Sequence, residues 1–78
     1  MDKRSQFLAV MRTELGKYSW ATERPEQLER TLILVEGTMN GDRKCLIDGA
    51  AWLAAWKAIG CKGKPTYKAL HELFAVKP

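Results

Sequence analysis

Residues 48–74 read DGAAWLAAWKAIGCKGKPTYKALHELF, and this stretch decides the fold. Asp48 is a good N-cap acceptor, and the alanines that follow it supply intrinsic helix propensity. Apolar residues recur at helical spacing on one face of this helix, at Trp52, Leu53, Trp56 and Ile59. Gly60 then suits a left-handed C-terminal cap, because glycine adopts that conformation without steric cost. The pattern predicts a helix that ends at Gly60.

A tight basic corner is predicted after this helix. The connection from Gly60 to Lys64 contains two glycines and two lysines. Pro65 suits the first turn of a second helix, because its missing N–H would be unpaired there. The apolar stripe then continues through Tyr67, Leu70, Leu73 and Phe74. Two helices joined by such a corner meet at an angle, as in a helix-turn-helix.

The preceding part of the chain predicts two more helices. Ser5 is a plausible cap for the first, whose apolar stripe is Leu8, Met11, Leu15 and Tyr18, with Phe7 beside it. A connector from Ser19 to Thr22 follows, in which we expect Trp20 to cover the core. The next helix is predicted from Pro25 to Gly37, with one face formed by Leu28, Leu32, Val35 and Met39. The fold class is therefore all-α: a compact single-domain bundle of four short helices over residues 1–78, the last two forming a helix-turn-helix-like corner.

A β-hairpin is the alternative for residues 32–47. Residues 32–35 form a continuous apolar run, and Asn40-Gly41 is a favoured hairpin dipeptide, with residues 45–47 as the returning strand. The good helix formers between Glu26 and Arg30 favour the helix, because Asn-Gly serves equally well as a helix exit. The residues alone leave both interpretations open.

Length and composition narrow the class of protein. A domain of 78 residues buries only about 60 percent of the surface that its unfolded chain exposes. Because 46% of the residues are hydrophobic, there is enough apolar material for one core but not for two. No apolar run reaches the roughly 18 residues that span a bilayer, which predicts a cytoplasmic protein with no membrane partner. Two cysteines, Cys45 and Cys61, are too few for a disulfide-stabilised secreted domain, so we expect free thiols.

The positive charge is confined to the C-terminal part of the chain. Residues 1–48 carry eight Lys/Arg and eight Asp/Glu, whereas residues 49–78 carry five lysines and only Glu72, which places the formal +4 there. A local cationic field favours an anionic partner, either nucleic acid or an acidic protein surface.

The nucleic-acid interpretation uses the predicted corner. Phosphates would meet Lys57, Lys62, Lys64 and Lys68, while Thr66 and His71 would reach base edges from the second helix. That helix lacks Arg, Asn and Gln, so binding would depend mainly on phosphate contacts, with weak sequence preference. Four such contacts predict a log–log salt slope of about −3.6.

A protein–protein interaction module is the alternative function. An adaptor, an inhibitor or a homodimer subunit would use an exposed part of the Trp/Leu stripe, which comprises Trp52, Leu53, Trp56 and Ile59. The lysines would steer an acidic partner towards it. Trp52 and Trp56 are more simply interpreted as core residues than as an aromatic platform, because a small domain has few other large residues to fill its centre.

No catalytic, metal or cofactor signature is present in the sequence. Cys45, Cys61 and His71 lack the closely spaced cysteine pair of a zinc site. His71 and Glu72 are adjacent on a helix and point in different directions, so we expect a solvated histidine. Cys61 lies in a cationic turn that favours thiol reactivity. The simpler interpretation is that Cys61 is a small apolar residue that packs against the end of the helix. We therefore expect a protein that is not an enzyme and uses no cofactor.

Overall fold

Five α-helices make up the protein in the computed structural model, which describes residues 2–47 and 49–75. They are α1 (Lys3–Leu15), α2 (Ser19–Glu23), α3 (Pro25–Asn40), α4 (Ala50–Ala58) and α5 (Tyr67–Phe74). The all-α prediction is confirmed, and the described residues contain no strand. The hairpin alternative is wrong because residues 32–35 lie inside α3. The short α2 occupies the segment that was predicted to be a connector.

The helix ends follow from capping chemistry. Asp2, not Ser5, caps α1: its carboxylate accepts a hydrogen bond of 2.7 Å from the Ser5 N–H. This bond also lowers the pKa of the Asp2 carboxyl. At the C-terminal end of α3, Gly41 adopts the left-handed conformation with a φ of 87°. Asn40-Gly41 is therefore a helix exit. The predicted cap Asp48 lies outside the described residues.

The core is centred on Phe7. Its ring centroid lies 5.7 Å from that of Trp52 and 5.3 Å from that of Phe74. The helix α4 packs chiefly against α1, and α5 packs chiefly against α3. The buried cluster comprises Phe7, Met11, Leu32, Val35, Met39, Ala51, Trp52, Ala55, Trp56, Ile59, Leu70 and Phe74.

Three residues of the predicted apolar stripes are exposed instead. Tyr18 is 47% exposed, Leu53 is 44% exposed and Leu73 is 39% exposed. Trp20 stacks on Tyr18 with a centroid distance of 6.2 Å and is not among the side chains packed on the core. The prediction that Trp20 covers the core is therefore wrong, because the turn into α2 places its ring beside Tyr18 instead.

Arg4 ties three helices together in a way that the sequence did not predict. Its guanidinium donates hydrogen bonds of 2.7 Å to Asn40 Oδ1 and 3.1 Å to Glu36 Oε2, both on α3. It also donates a 3.2 Å bond to the carbonyl oxygen of Phe74, at the end of α5. One exposed end of α1 is thus fixed to α3 and α5 by charge-assisted bonds.

Candidate functional site

A shallow groove of about 460 Å³ lies beside the C-terminal end of α4. Part of its lining, Leu53 and Lys57, stands one helical turn apart on α4, and the remainder comes from the connection between α4 and α5. We call this site the lysine groove, and its lining residues are Leu53, Lys57, Cys61, Lys62, Gly63 and Lys64.

The first half of the connection is fixed by the cap of α4. Gly60 has a φ of 90°, which confirms the predicted left-handed conformation. Its N–H donates to the Lys57 carbonyl at 3.0 Å, and the Cys61 N–H donates to the Trp56 carbonyl at 3.2 Å. This pair of bonds is the Schellman motif, which satisfies carbonyls at the end of a helix. Cys61 is thereby held beside the last turn of α4.

The second half of the connection is fixed by Trp56 and Gly63. The indole N–H of Trp56 donates a 3.3 Å hydrogen bond to the Lys62 carbonyl. Gly63 has a φ of 74°, a backbone conformation that residues with a Cβ rarely adopt. Because Trp56 is also a core residue, the shape of the lysine groove depends on the packing of the core.

The lysines of the groove are exposed and have no carboxylate partner in the described part of the chain. All three of Lys57, Lys62 and Lys64 are exposed. The ion pairs found among residues 2–47 and 49–75 involve the other cations Arg4, Arg12, Lys17 and Lys68. Three unpaired ammonium groups around one groove produce a local positive field that attracts anions.

The floor of the lysine groove is apolar. Leu53 is 44% exposed, and Cys61 is half-buried with a free thiol. The predicted stripe groups Leu53 with Trp52, Trp56 and Ile59, but those three are buried whereas Leu53 is exposed. Lys57 lies four residues after Leu53, and residues four apart share a helix face, so the exposed lysine marks this side of α4 as the solvent side.

The predicted corner between the two helices is longer than expected. The helix α5 begins at Tyr67 rather than Pro65, so the connection runs over residues 59–66 and not from Gly60 to Lys64. Thr66 is the N-cap, since its hydroxyl oxygen accepts a 3.1 Å hydrogen bond from the Ala69 N–H. Pro65 is buried in the connection instead. The usual helix-turn-helix connection has three or four residues.

The other predicted site residues do not join the lysine groove. Lys68 lies on α5, with its ammonium nitrogen 4.0 Å from a carboxylate oxygen of Glu72. The ring of His71 packs over Gly41, where an added Cβ would meet it at 3.7 Å. Its Nε2 atom is buried and has no hydrogen-bond partner among the described residues. The expectation of a solvated histidine is therefore wrong, because α3 ends against this ring.

The remaining predictions about side chains concern the tryptophans and the cysteines. Trp52 and Trp56 are each 6% exposed, which confirms their place in the core. Cys45 and Cys61 are both free, as predicted.

Within residues 2–47 and 49–75, no three His, Cys, Asp or Glu side chains are grouped closely enough to bind a metal ion. No helix of that same part of the chain has the length and apolarity needed to cross a bilayer.

No protein-family model, curated protein or solved structure matches this chain. The chemistry of the lysine groove is therefore the basis for assigning a ligand. Three exposed ammonium groups beside an exposed leucine suit a ligand that is both anionic and partly apolar.

Proposed function

We propose that this protein is a non-enzymatic interaction module that holds an acidic segment of another protein in the lysine groove. The supporting observation is the combination of an exposed Leu53 with three lysines that lack carboxylate partners in the described residues. Protein interfaces combine an apolar centre with a polar rim. The lysines would accelerate encounter with an acidic partner, and Leu53 would supply apolar area in the complex.

Nucleic acid is the second candidate partner, and the same lysines favour it. With three lysines in the groove, the log–log salt slope would be about −2.7 rather than −3.6. Two observations weigh against it. The buried Trp52 and Trp56 offer no surface for base stacking. The side chains predicted to read base edges have other roles, since Thr66 caps α5 and the Nε2 atom of His71 is buried.

Fluorescence anisotropy with a labelled Glu/Leu-rich peptide and a labelled short DNA duplex tests the proposal. The test protein carries Lys57→Ala, Lys62→Ala and Lys64→Ala together. We expect the wild type to bind the peptide more tightly than the duplex at physiological salt, and the triple variant to lose at least tenfold in affinity for the peptide, since it removes three charge contacts.

A matched control variant separates the lysine groove from net charge. Lys3, Arg24 and Arg30 are also exposed, and none of them forms an ion pair in the described part of the chain. Changing these three to Ala removes the same charge and should leave peptide affinity within about twofold, because distant surface charges are screened. An equal loss in both triple variants, or tighter binding to the duplex, would overturn the proposal.

A further inference from the structure

The lysine groove carries a more specific inference about its partner, which rests on the proposed function. We infer that the bound segment inserts one aliphatic side chain between Leu53 and Cys61 and places carboxylates within one helical turn of it, on the groove lysines. The partner is thus an acidic segment with a single apolar anchor, and not a uniformly acidic chain.

The size of the groove favours a short segment over a globular face. Its volume of about 460 Å³ lies within the range of about 300–1,000 Å³ that is typical of small-ligand sites. A site of this size accommodates a few side chains. One anchor with flanking carboxylates fills it without requiring a large flat interface.

The arrangement of charge around the floor sets the spacing in the partner. Leu53 and Lys57 are four residues apart on α4, which puts their Cβ atoms about 5–6 Å from each other. Lys62 and Lys64 border the same floor from the connection, a different element of the fold. An anchor that contacts Leu53 therefore has ammonium groups from two elements close to it, and carboxylates next to the anchor are the complementary groups.

The groove is preorganised for this ligand. The Schellman bonds of Gly60 and Cys61 and the hydrogen bond from Trp56 to the Lys62 carbonyl fix the backbone of the connection. Less conformational entropy is lost when a ligand meets a wall that is already ordered. A short peptide is therefore a suitable probe of the site.

Three peptides of equal length test the anchor. The first is Glu-rich with one central Leu, the second has Ser in place of that Leu, and the third keeps the Leu but has Gln in place of every Glu. We expect the first to bind about fivefold more tightly than the second, the value for burying roughly half a leucine side chain. The third should bind at least tenfold more weakly than the first, because it cannot pair with the lysines.

Protein variants assign the anchor effect to the floor. Leu53→Ser should remove the difference between the first two peptides while the protein still binds both through charge. Leu73→Ser is the matched control, because Leu73 is similarly exposed at 39% but lies on α5, outside the groove. It should leave the fivefold difference intact.

Cys61 provides a second measurement that needs no substitution. A peptide with Cys at the anchor position, activated as a mixed disulfide with thionitrobenzoate, exchanges when a protein thiolate attacks the peptide sulfur and the thionitrobenzoate anion leaves. The acidic form of this peptide should label Cys61 at least fivefold faster than its Gln form does, since only the acidic form is held by the lysines. Cys45 is the internal control, because it is also half-buried and free but lies outside the groove.

The outcomes separate the anchor from the proposed function. Equal affinity for the Leu and Ser peptides, with both lost in the lysine variant, overturns the anchor and leaves the proposed function standing. Peptide binding that does not depend on the groove lysines overturns both. Tighter binding to a short DNA duplex or to anionic phosphatidylserine vesicles than to the Leu peptide, or concentration-dependent self-association through the groove, assigns a different occupant and also overturns both.

Discussion

Two of the grooves formed by the described residues have apolar floors and charged rims, but only one of these two has its charges paired. The first lies between α1 and α3, has a volume of about 630 Å³ and includes Leu8, Leu32 and Ile33 in its lining. Arg12 crosses its rim and donates hydrogen bonds of 2.6 Å and 2.9 Å to the Glu29 carboxylate. We call this site the α1–α3 groove. In the lysine groove, no cation has a carboxylate partner within the described residues.

The difference shows that a charged residue can serve the fold or remain accessible to a partner. Arg12 and Glu29 are separated by 17 positions and meet only because α1 packs on α3. Their bond joins two helices and offers little net charge to a ligand. The groove lysines lie in a segment with few carboxylates, so their charge stays available.

The largest effect should come from Trp56, the core residue on which the lysine groove depends. Trp56→Ala should lower the free energy of unfolding by about 3–5 kcal/mol, the typical cost of removing a buried large aromatic ring. Trp56→Phe keeps a ring but loses the donor to the Lys62 carbonyl, and should cost about 1 kcal/mol for that bond. Urea denaturation measures both values. A Trp56→Ala protein as stable as the wild type would contradict the described packing.

The second effect concerns Arg4, whose side-chain hydrogen bonds join α1 to α3 and α5. Arg4→Ala should cost about 2 kcal/mol, because it removes charge-assisted bonds to α3 and α5. Arg4→Lys should recover only part of this, since an ammonium group cannot reproduce the planar fork of a guanidinium. Peptide affinity at the lysine groove should not change in either variant. A loss of peptide affinity together with stability would show that the two regions are not independent.

A smaller effect is expected at Gly63, in the wall of the lysine groove. Gly63→Ala should cost about 1–2 kcal/mol, the penalty of placing a Cβ in the left-handed region. Gly63→Asn is the matched variant, because asparagine tolerates that conformation better. Denaturation should therefore rank the stabilities as wild type, then Asn, then Ala, and peptide affinity should follow the same order. The reverse order would contradict the backbone conformation of the connection.

The paired rim of the α1–α3 groove should respond to acid. The Arg12 guanidinium holds the pKa of the Glu29 carboxyl below its ordinary value of 4.5. A carboxyl whose pKa is lowered by folding stabilises the protein fully above its unfolded value, and this contribution is lost as the pH falls through the folded pKa. The stability difference between wild type and Glu29→Gln should therefore be largest near neutral pH and shrink below pH 4.5. Denaturation at several pH values measures it, and a pH-independent difference would contradict the ion pair.

The smallest effect on stability should come from the groove lysines. Replacing Lys57, Lys62 and Lys64 by Ala should change the free energy of unfolding by no more than about 0.5 kcal/mol per site, because these residues are exposed and make no ion pair in the described chain. The thermal midpoint of the triple variant measures this. A large loss would mean that the lysines support the fold, which would remove the contrast between the two grooves.

The sequence predicted the parts of the fold that depend on local chemistry. Three such features are determined by neighbouring residues. They are the start of α3 at Pro25, the left-handed conformation of Gly60, and the apolar face of α3 formed by Leu28, Leu32, Val35 and Met39. Helix boundaries failed where two adjacent candidates compete. Asp2 caps α1 in place of Ser5, and Thr66 caps α5, which leaves Pro65 before the helix rather than in its first turn. In both cases the side-chain oxygen of the cap accepts a hydrogen bond from the N–H three residues later.

The candidate site was predicted only in part, for a related reason. The groove lysines are close in sequence, so their grouping required little tertiary information. The sequence left the exposure of Leu53 open between a core stripe and an interaction surface, because the exposure depends on which face of α4 meets α1, and α4 is apolar on several sides. Contacts such as that between Arg4 and Phe74 span 70 positions and follow from the packing of three helices. No local pattern contains this information.

Backbone amide chemical-shift mapping with the Glu-rich, Leu-anchored peptide is the most direct test of the central claim that unpaired lysines around Leu53 form the binding site. We expect shifts concentrated at Leu53, Lys57 and residues 61–64. These shifts should be absent from the lysine triple variant and retained when Lys3, Arg24 and Arg30 are changed instead. Shifts concentrated at the α1–α3 groove, or spread over the surface without a maximum at residues 61–64, would contradict this claim.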